Sequence, residues 1–104
     1  MEVLKRGYCN EFLELTPIGS TKVYLAATLM PRDIAEKELG WCESLGDVFI
    51  YVLEGALTIE YKEPRPDQII IAKNEVVLMP RGSQYLIYSD EMTIYIAVVD
   101  ETHI

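Results

Sequence analysis

Turn-forming residues break this chain roughly every 8–12 positions, and that spacing limits the architectures open to it. The segments Glu11–Leu15, Lys22–Met30, Asp47–Leu53, Ala56–Lys62, Gln68–Ala72, Glu75–Met79, Gln84–Tyr88 and Thr93–Val99 read as short strands. Between them stand Pro17-Ile18-Gly19-Ser20, Glu54-Gly55, Glu63-Pro64-Arg65-Pro66-Asp67, Lys73-Asn74, Arg81-Gly82-Ser83 and Ser89-Asp90-Glu91. Many short strands at this spacing fold as an all-β sandwich or barrel. The stretch PRDIAEKELG, residues 31–40, is the exception: it predicts one or two helical turns closed by Gly40, or a charged loop. With 104 residues, half of them hydrophobic, the chain supports one core and not two.

Charge and hydropathy exclude several functions. The chain carries 17 acidic against 9 basic residues, a net charge of −8, and its nearest approach to a basic cluster is Lys5-Arg6. Nucleic acid and anionic membranes are therefore not expected as partners, because phosphate contacts need clustered Lys and Arg. No apolar run approaches the ~18 residues that span a bilayer. The beginning, MEVLKRGYCNEF, lacks the apolar core of a signal peptide. An intracellular location is expected, with Cys9 and Cys42 reduced and each a small core or surface residue.

The segment VFIYVLEGALTIEYK predicts a hairpin turning at Glu54-Gly55, where Gly supplies the positive φ that tight turns demand. In that register Leu57, Ile59 and Tyr61 share an apolar face with Val48, Ile50 and Val52. Phe49, Tyr51 and Leu53 fall on the other face, beside Thr58 and Glu60. TIYIAVV and KVYLAATLM are also apolar on both faces, so cover is expected on both sides. It would come from the N-terminal residues folding back or from a second copy of the chain.

The pair VFIYVLEGALTIEY and NEVVLMPRGSQYLIYS resembles the two signature blocks of the cupin superfamily. In metal-binding cupins these read G-x5-H-x-H-x3/4-E-x6-G and G-x5-P-x-G-x2-H-x3-N. Gly55 fits the closing glycine of the first block, and Asn74, Pro80 and Gly82 fit the second. Asn74 replaces a glycine, an exchange its tolerance of positive φ permits. The resemblance implies an all-β fold, a small single-domain cupin (jelly-roll-type β-barrel) over residues 1–104. Residues 1–40 would supply N-terminal strands and a connecting segment, and residues 41–99 the motif core.

The same alignment implies that the metal ligands are gone. The carboxylate position falls on Val48, and the paired histidine positions on Cys42 and Ser44 or on Trp41 and Glu43. The third histidine position is Tyr85 and the asparagine position is Ser89. The single histidine, His103, stands one residue from the end of the sequence and is expected in solvent. Divalent iron, manganese or zinc wants three or four converging imidazole or carboxylate ligands, so no metal and no cofactor is expected. Asp47 and Glu43 offer carboxylates, but nothing pairs them with a nucleophile or an oxyanion donor, and no enzyme activity is expected.

Within the superfamily, the chain is similar to the C-terminal dimerisation cupin of CENP-C-type kinetochore proteins in Pro80, Arg81, Gly82, Tyr85 and Ile87. Ser83 and Ser89 replace asparagines of that pattern, and the basic chromatin-binding remainder has no counterpart. This resemblance implies a non-enzymatic homodimerisation or protein-interaction module, nuclear rather than cytoplasmic if the likeness holds. Its dimer interface would be the strip Phe49, Tyr51 and Leu53. The alternative is a small-molecule-binding or sensor cupin with a pocket built from Trp41, Cys42, Ser44, Val48, Tyr61 and Tyr85. The register turns Tyr85 and Ile87 inward and Leu86 and Tyr88 outward. Tyr85 is then expected to fill the space a metal would hold, its hydroxyl bonded to Ser44 or Cys42.

Overall fold

The computed structural model describes residues 9–19, 21–63 and 65–100. Its elements in chain order are β1 (Cys9–Ile18), β2 (Thr21–Met30), α1 (Arg32–Glu38), β3 (Cys42–Glu43), β4 (Asp47–Glu54), β5 (Ala56–Glu63), β6 (Asp67–Ala72), β7 (Val76–Met79) and β8 (Gln84–Asp100). The pairing is antiparallel throughout and builds two sheets. One runs β1-β2-β8-β4-β7. The other joins β6, β5, β8 and β3. Among the described residues, no helix is long and apolar enough to cross a membrane.

Strand β8 belongs to both sheets. Its first part, Gln84 to Tyr88, pairs with β5, and its later part, Thr93 to Asp100, pairs with β2 and β4. Sequence reading splits this segment into two strands with a turn at Ser89-Asp90-Glu91; the chain instead bends without leaving extended structure. Buried hydroxyls hold the bend. Ser89 Oγ lies 2.8 Å from the Ala56 carbonyl oxygen and 2.7 Å from Thr93 Oγ1. Thr93 Oγ1 also accepts from the Ala56 amide at 3.2 Å. Both residues are almost fully buried, so these bonds meet needs that water cannot.

The same knot explains Gly55 and corrects the expected hairpin. β4 and β5 do not pair with each other: β4 joins β8 and β7, while β5 joins β6 and β8. At Gly55 the chain crosses from one sheet to the other, passing against the bend of β8. Its φ is +88°, and a Cβ there would meet Met92 O and Thr93 Oγ1 at 2.6 Å. The expected grouping of faces nevertheless holds. Val48, Ile50 and Val52 from one sheet and Leu57 and Ile59 from the other are buried in a single core with Ala26, Ile71, Met79, Tyr95 and Ala97. They meet face to face across the barrel rather than side by side in one sheet.

The turns follow the local chemistry. Asn74 adopts φ +71°, as its place in the motif requires, and its amide donates to Val52 O at 2.8 Å. Gly82 takes φ +88° at the third position of the Pro80-Arg81-Gly82-Ser83 turn, closed by Ser83 N donating to Pro80 O at 3.2 Å. PRDIAEKELG forms helix α1, which ends where Gly40, at φ +72°, donates its amide to Ala35 O at 3.1 Å.

Helix α1 covers the outside of the smaller sheet. Met30, Ala35, Leu86 and Tyr88 form a second buried cluster, with Ile34 and Trp41 packed on it. Leu86 and Tyr88 therefore point out of the barrel, as the register implies, yet lie under the helix. Arg32 clamps the helix to β5 through two bonds to Glu60, Nε to Oε1 at 2.9 Å and Nη2 to Oε2 at 3.1 Å. This guanidinium holds the Glu60 carboxyl below its usual range.

The outside of the larger sheet has no such cover among the described residues. A continuous row, Leu13–Leu25–Ile96–Tyr51–Val76, crosses all five strands, and Val23–Val98–Phe49–Leu78 runs beside it. Leu13, Phe49, Tyr51, Val76 and Leu78 are exposed. Leu53 is only part-buried and stands at a register break in β4, so it does not continue the strip as the plain alternation implies. The residues preceding Cys9, expected as one possible cover, lie outside the described residues.

The knot at β8 is testable by urea denaturation. Gly55→Ala should cost ~2 kcal/mol or more, since backbone strain and a clash against main chain act together. Gly82→Ala, where nothing lies within 4 Å of the added Cβ, should cost only about 1–2 kcal/mol. Thr93→Val, which strips hydrogen bonds from a buried junction, should cost ~1–3 kcal/mol. Equal losses for the two glycine variants would refute the crossover account.

Candidate functional site

Between the two sheets the barrel is open. A cavity of about 520 Å³ lies against the inner face of the larger sheet. Tyr24 and Thr28 come from β2, Val48 and Ile50 from β4, and Tyr85, Ile87, Tyr95, Ala97 and Val99 from β8. The segment from Leu39 to Leu45 forms its rim, where both of these leucines are exposed. Period-two alternation on three neighbouring strands aims these side chains inward. The row Tyr24–Ala97–Ile50 has a small residue at its centre, which leaves room between two larger ones.

The expectation that Tyr85 fills the interior is therefore corrected: Tyr85 forms a wall, and space remains beside it. Its hydroxyl does not bond to Ser44 or Cys42. Ser44 Oγ is committed instead to the Pro80 turn, donating to Pro80 O at 2.8 Å and accepting from Ser83 N at 3.0 Å. The Cys42 thiol donates weakly to Gly40 O at 3.8 Å.

Of the six residues expected at a pocket, Cys42, Ser44, Val48 and Tyr85 line the cavity, and Trp41 and Tyr61 do not. Trp41 packs outside the smaller sheet, where its indole N–H donates to Glu36 at 3.3 Å and Lys62 Nζ stands 5.7 Å from its ring centre. Side chains alternate along a strand, so Trp41 and Cys42 face opposite ways. Tyr61 pairs across β5 and β8 with Tyr85 and stands one strand further from the cavity, screened by it. Tyr24, Thr28, Tyr95, Ala97 and Val99 escaped sequence reading. Their strands are apolar on both faces, so alternation separates two faces without telling which is inward.

Three acidic protons face one another here. Burial pushes the Tyr85 phenol up to about 12, and the neighbouring Cys42 thiol adds to the effect. Burial also raises Tyr95, with smaller contributions from Tyr85 and Cys42, and raises the Cys42 thiol itself. All three groups keep their protons at neutral pH and act as hydrogen-bond donors.

The donors do not fit a divalent metal. Val48 is apolar, Ser44 is spent on the turn, and the phenols are protonated. Among the described residues, Cys42 and Glu43 are the only thiol and carboxylate in the lining. Among the described residues, no group of three His, Cys, Asp or Glu side chains is placed to hold a metal ion. His103 lies outside the described residues.

No protein-family model matches the chain, and no curated protein sequence does. Solved structures do match. A cupin-2 domain protein from Shewanella frigidimarina superposes with a TM-score of 0.70 at 16% identity, over 86% of this chain and 79% of that one. A cupin superfamily protein from Desulfitobacterium hafniense gives 0.72 at 13% identity, over 96% and 83%. An RmlC-like cupin family protein with a double-stranded β-helix fold, from Methanocaldococcus jannaschii, gives 0.70 at 12% identity, over 95% and 86%. The chain has the cupin fold. At these identities the likeness is one of fold alone.

Raised phenol pKa values link the cavity to stability at alkaline pH. Tyrosine ionises near 10 in an unfolded chain and Tyr85 near 12 in the folded one. The stabilisation from keeping its proton is thus complete below pH ~10 and is lost as pH rises toward 12. The melting temperature should fall across that window, and Tyr85→Phe should flatten the fall. An unchanged slope in that variant would contradict the assignment.

Proposed function

We propose that this chain is a small-molecule-binding cupin that receives its ligand in the barrel interior and does not rely on a bound metal. The open cavity of about 520 Å³ carries this reading. Its volume falls in the range of small-ligand sites, and its lining is mainly apolar with a few polar groups, the usual make-up of such a site. Catalysis has weaker support. Among the described residues the lining offers phenols, a thiol and a rim carboxylate, with no imidazole to act as a base near neutral pH.

Saturation-transfer NMR with a library of neutral aromatic fragments tests the reading. Binders are expected, and their signals should vanish in Ala97→Phe, which places a ring in the centre of the cavity. No binders, or binders that survive the substitution, would sink it.

A second reading is favoured by a separate observation, the exposed cross-strand pairs Phe49–Leu78 and Tyr51–Val76. In it the uncovered face of the larger sheet joins two copies of the chain or binds another protein. The CENP-C-type form of this reading is supported by Pro80, Arg81, Gly82, Tyr85 and Ile87. The two readings are compatible, because the cavity and this face lie on opposite sides of one sheet. Sedimentation equilibrium should give a dimer at tens of micromolar and a folded monomer for Phe49→Glu. A wild-type monomer at that concentration would exclude the homodimer.

A further inference from the structure

Tyr95 is the most telling group in the cavity. It is 3% exposed, yet its hydroxyl takes part in none of the hydrogen bonds among the described residues. No buried side-chain nitrogen or oxygen among those residues lacks a partner, so this oxygen must keep accessible surface. Because Tyr95 lines the cavity, that surface is cavity surface. Tyr85, which is half-buried, also lines the cavity, and its hydroxyl bonds to no described residue. A buried phenol without a protein partner forgoes a hydrogen bond that water or a ligand must supply.

The charge of the lining narrows what can enter. Among the described residues it holds no Lys, Arg or His, and its one carboxylate, Glu43, stands exposed at the rim. An anion moved into this space would lose its hydration with no counter-charge in return. The rest of the wall is mainly aliphatic, from Val48, Ile50, Ala97 and Val99 with Leu39 and Leu45 at the mouth, and Tyr24 and Thr28 add two further hydroxyls.

We infer that the cavity takes an uncharged, largely apolar molecule bearing a hydrogen-bond acceptor such as a carbonyl, with Tyr95 and Tyr85 donating to that acceptor. This inference rests on the ligand-binding reading above and adds the chemical class and the two residues that recognise it. Both phenols keep their protons far above neutral pH, so the donors are present at any physiological pH.

A matched set of acetylnaphthalene, ethylnaphthalene and naphthoate, with the same ring position substituted, separates the possibilities by isothermal titration calorimetry. The ketone should bind roughly five-fold more tightly than the hydrocarbon, as one neutral hydrogen bond implies, and the carboxylate should bind most weakly. Tyr95→Phe combined with Tyr85→Phe should bring the ketone down to the level of the hydrocarbon. These substitutions remove only hydroxyls that bond to no described residue, so the fold should survive, and circular dichroism checks that it does. Equal binding of ketone and hydrocarbon to the wild type would overturn the inference while leaving the ligand-binding reading intact. So would naphthoate binding best, or a ketone preference that persists in the double variant. Failure of all three probes to bind, or full binding to Ala97→Phe, would bring down both.

Discussion

The fold hangs on a strand that two sheets share. Strand β8 serves the smaller sheet with its first part and the larger sheet with its later part, and the bend between them is held by hydroxyls rather than by a loop. Ser89 and Thr93 reach the Ala56 main chain, while Gly55 lets the β4–β5 crossover pass against the same point. The requirement is mutual: without a glycine the crossover could not come close, and without the hydroxyls the part-buried Ala56 groups would lose these partners. With Ser89 and Thr93 almost fully buried, the junction carries a desolvation cost for every bond these hydroxyls leave unmade.

The cavity follows from how the sheets are held apart. The knot and the Pro80 turn, with Ser44 bonded into it, join the two layers at different points. Between them, inward residues of modest size, Ala97 and Thr28 among them, do not close the space. Beyond the cavity the core is filled by Leu57, Ile59, Val52 and Met79, all fully buried. The open region is thus a local feature of an otherwise packed barrel, and it takes in Cys42, Ser44, Val48 and Tyr85, positions that the motif resemblance assigns to metal ligands. Here those positions hold a valine, a serine engaged elsewhere, a cysteine and a tyrosine.

The two outer faces are treated differently. Helix α1 shields the smaller sheet and is fastened by the two-pronged Arg32–Glu60 pair, with Tyr88 donating to the same carboxylate at 3.1 Å. The larger sheet instead presents one apolar row five strands wide and a second beside it across four. A surface of that kind is unusual on a chain whose net charge is −8, because its charges are kept elsewhere.

Local chemistry was legible in the sequence. Strand positions, the helix ending at Gly40, the positive φ of Asn74 and the turn at Gly82 all follow from what each residue type permits its own backbone. Non-local choices were not legible. Alternation along β4 and β5 is the same whether they pair in one sheet or face each other across a barrel, so the hairpin was a natural but wrong reading. Nor does alternation say which face of β2 or β8 is inward when both are apolar, which is why Tyr24 and Tyr95 went unnoticed. Partner choice is decided by how whole faces bury one another and by which close approaches a glycine allows. Those are properties of the assembled tertiary structure, and the cavity with its phenols exists only there.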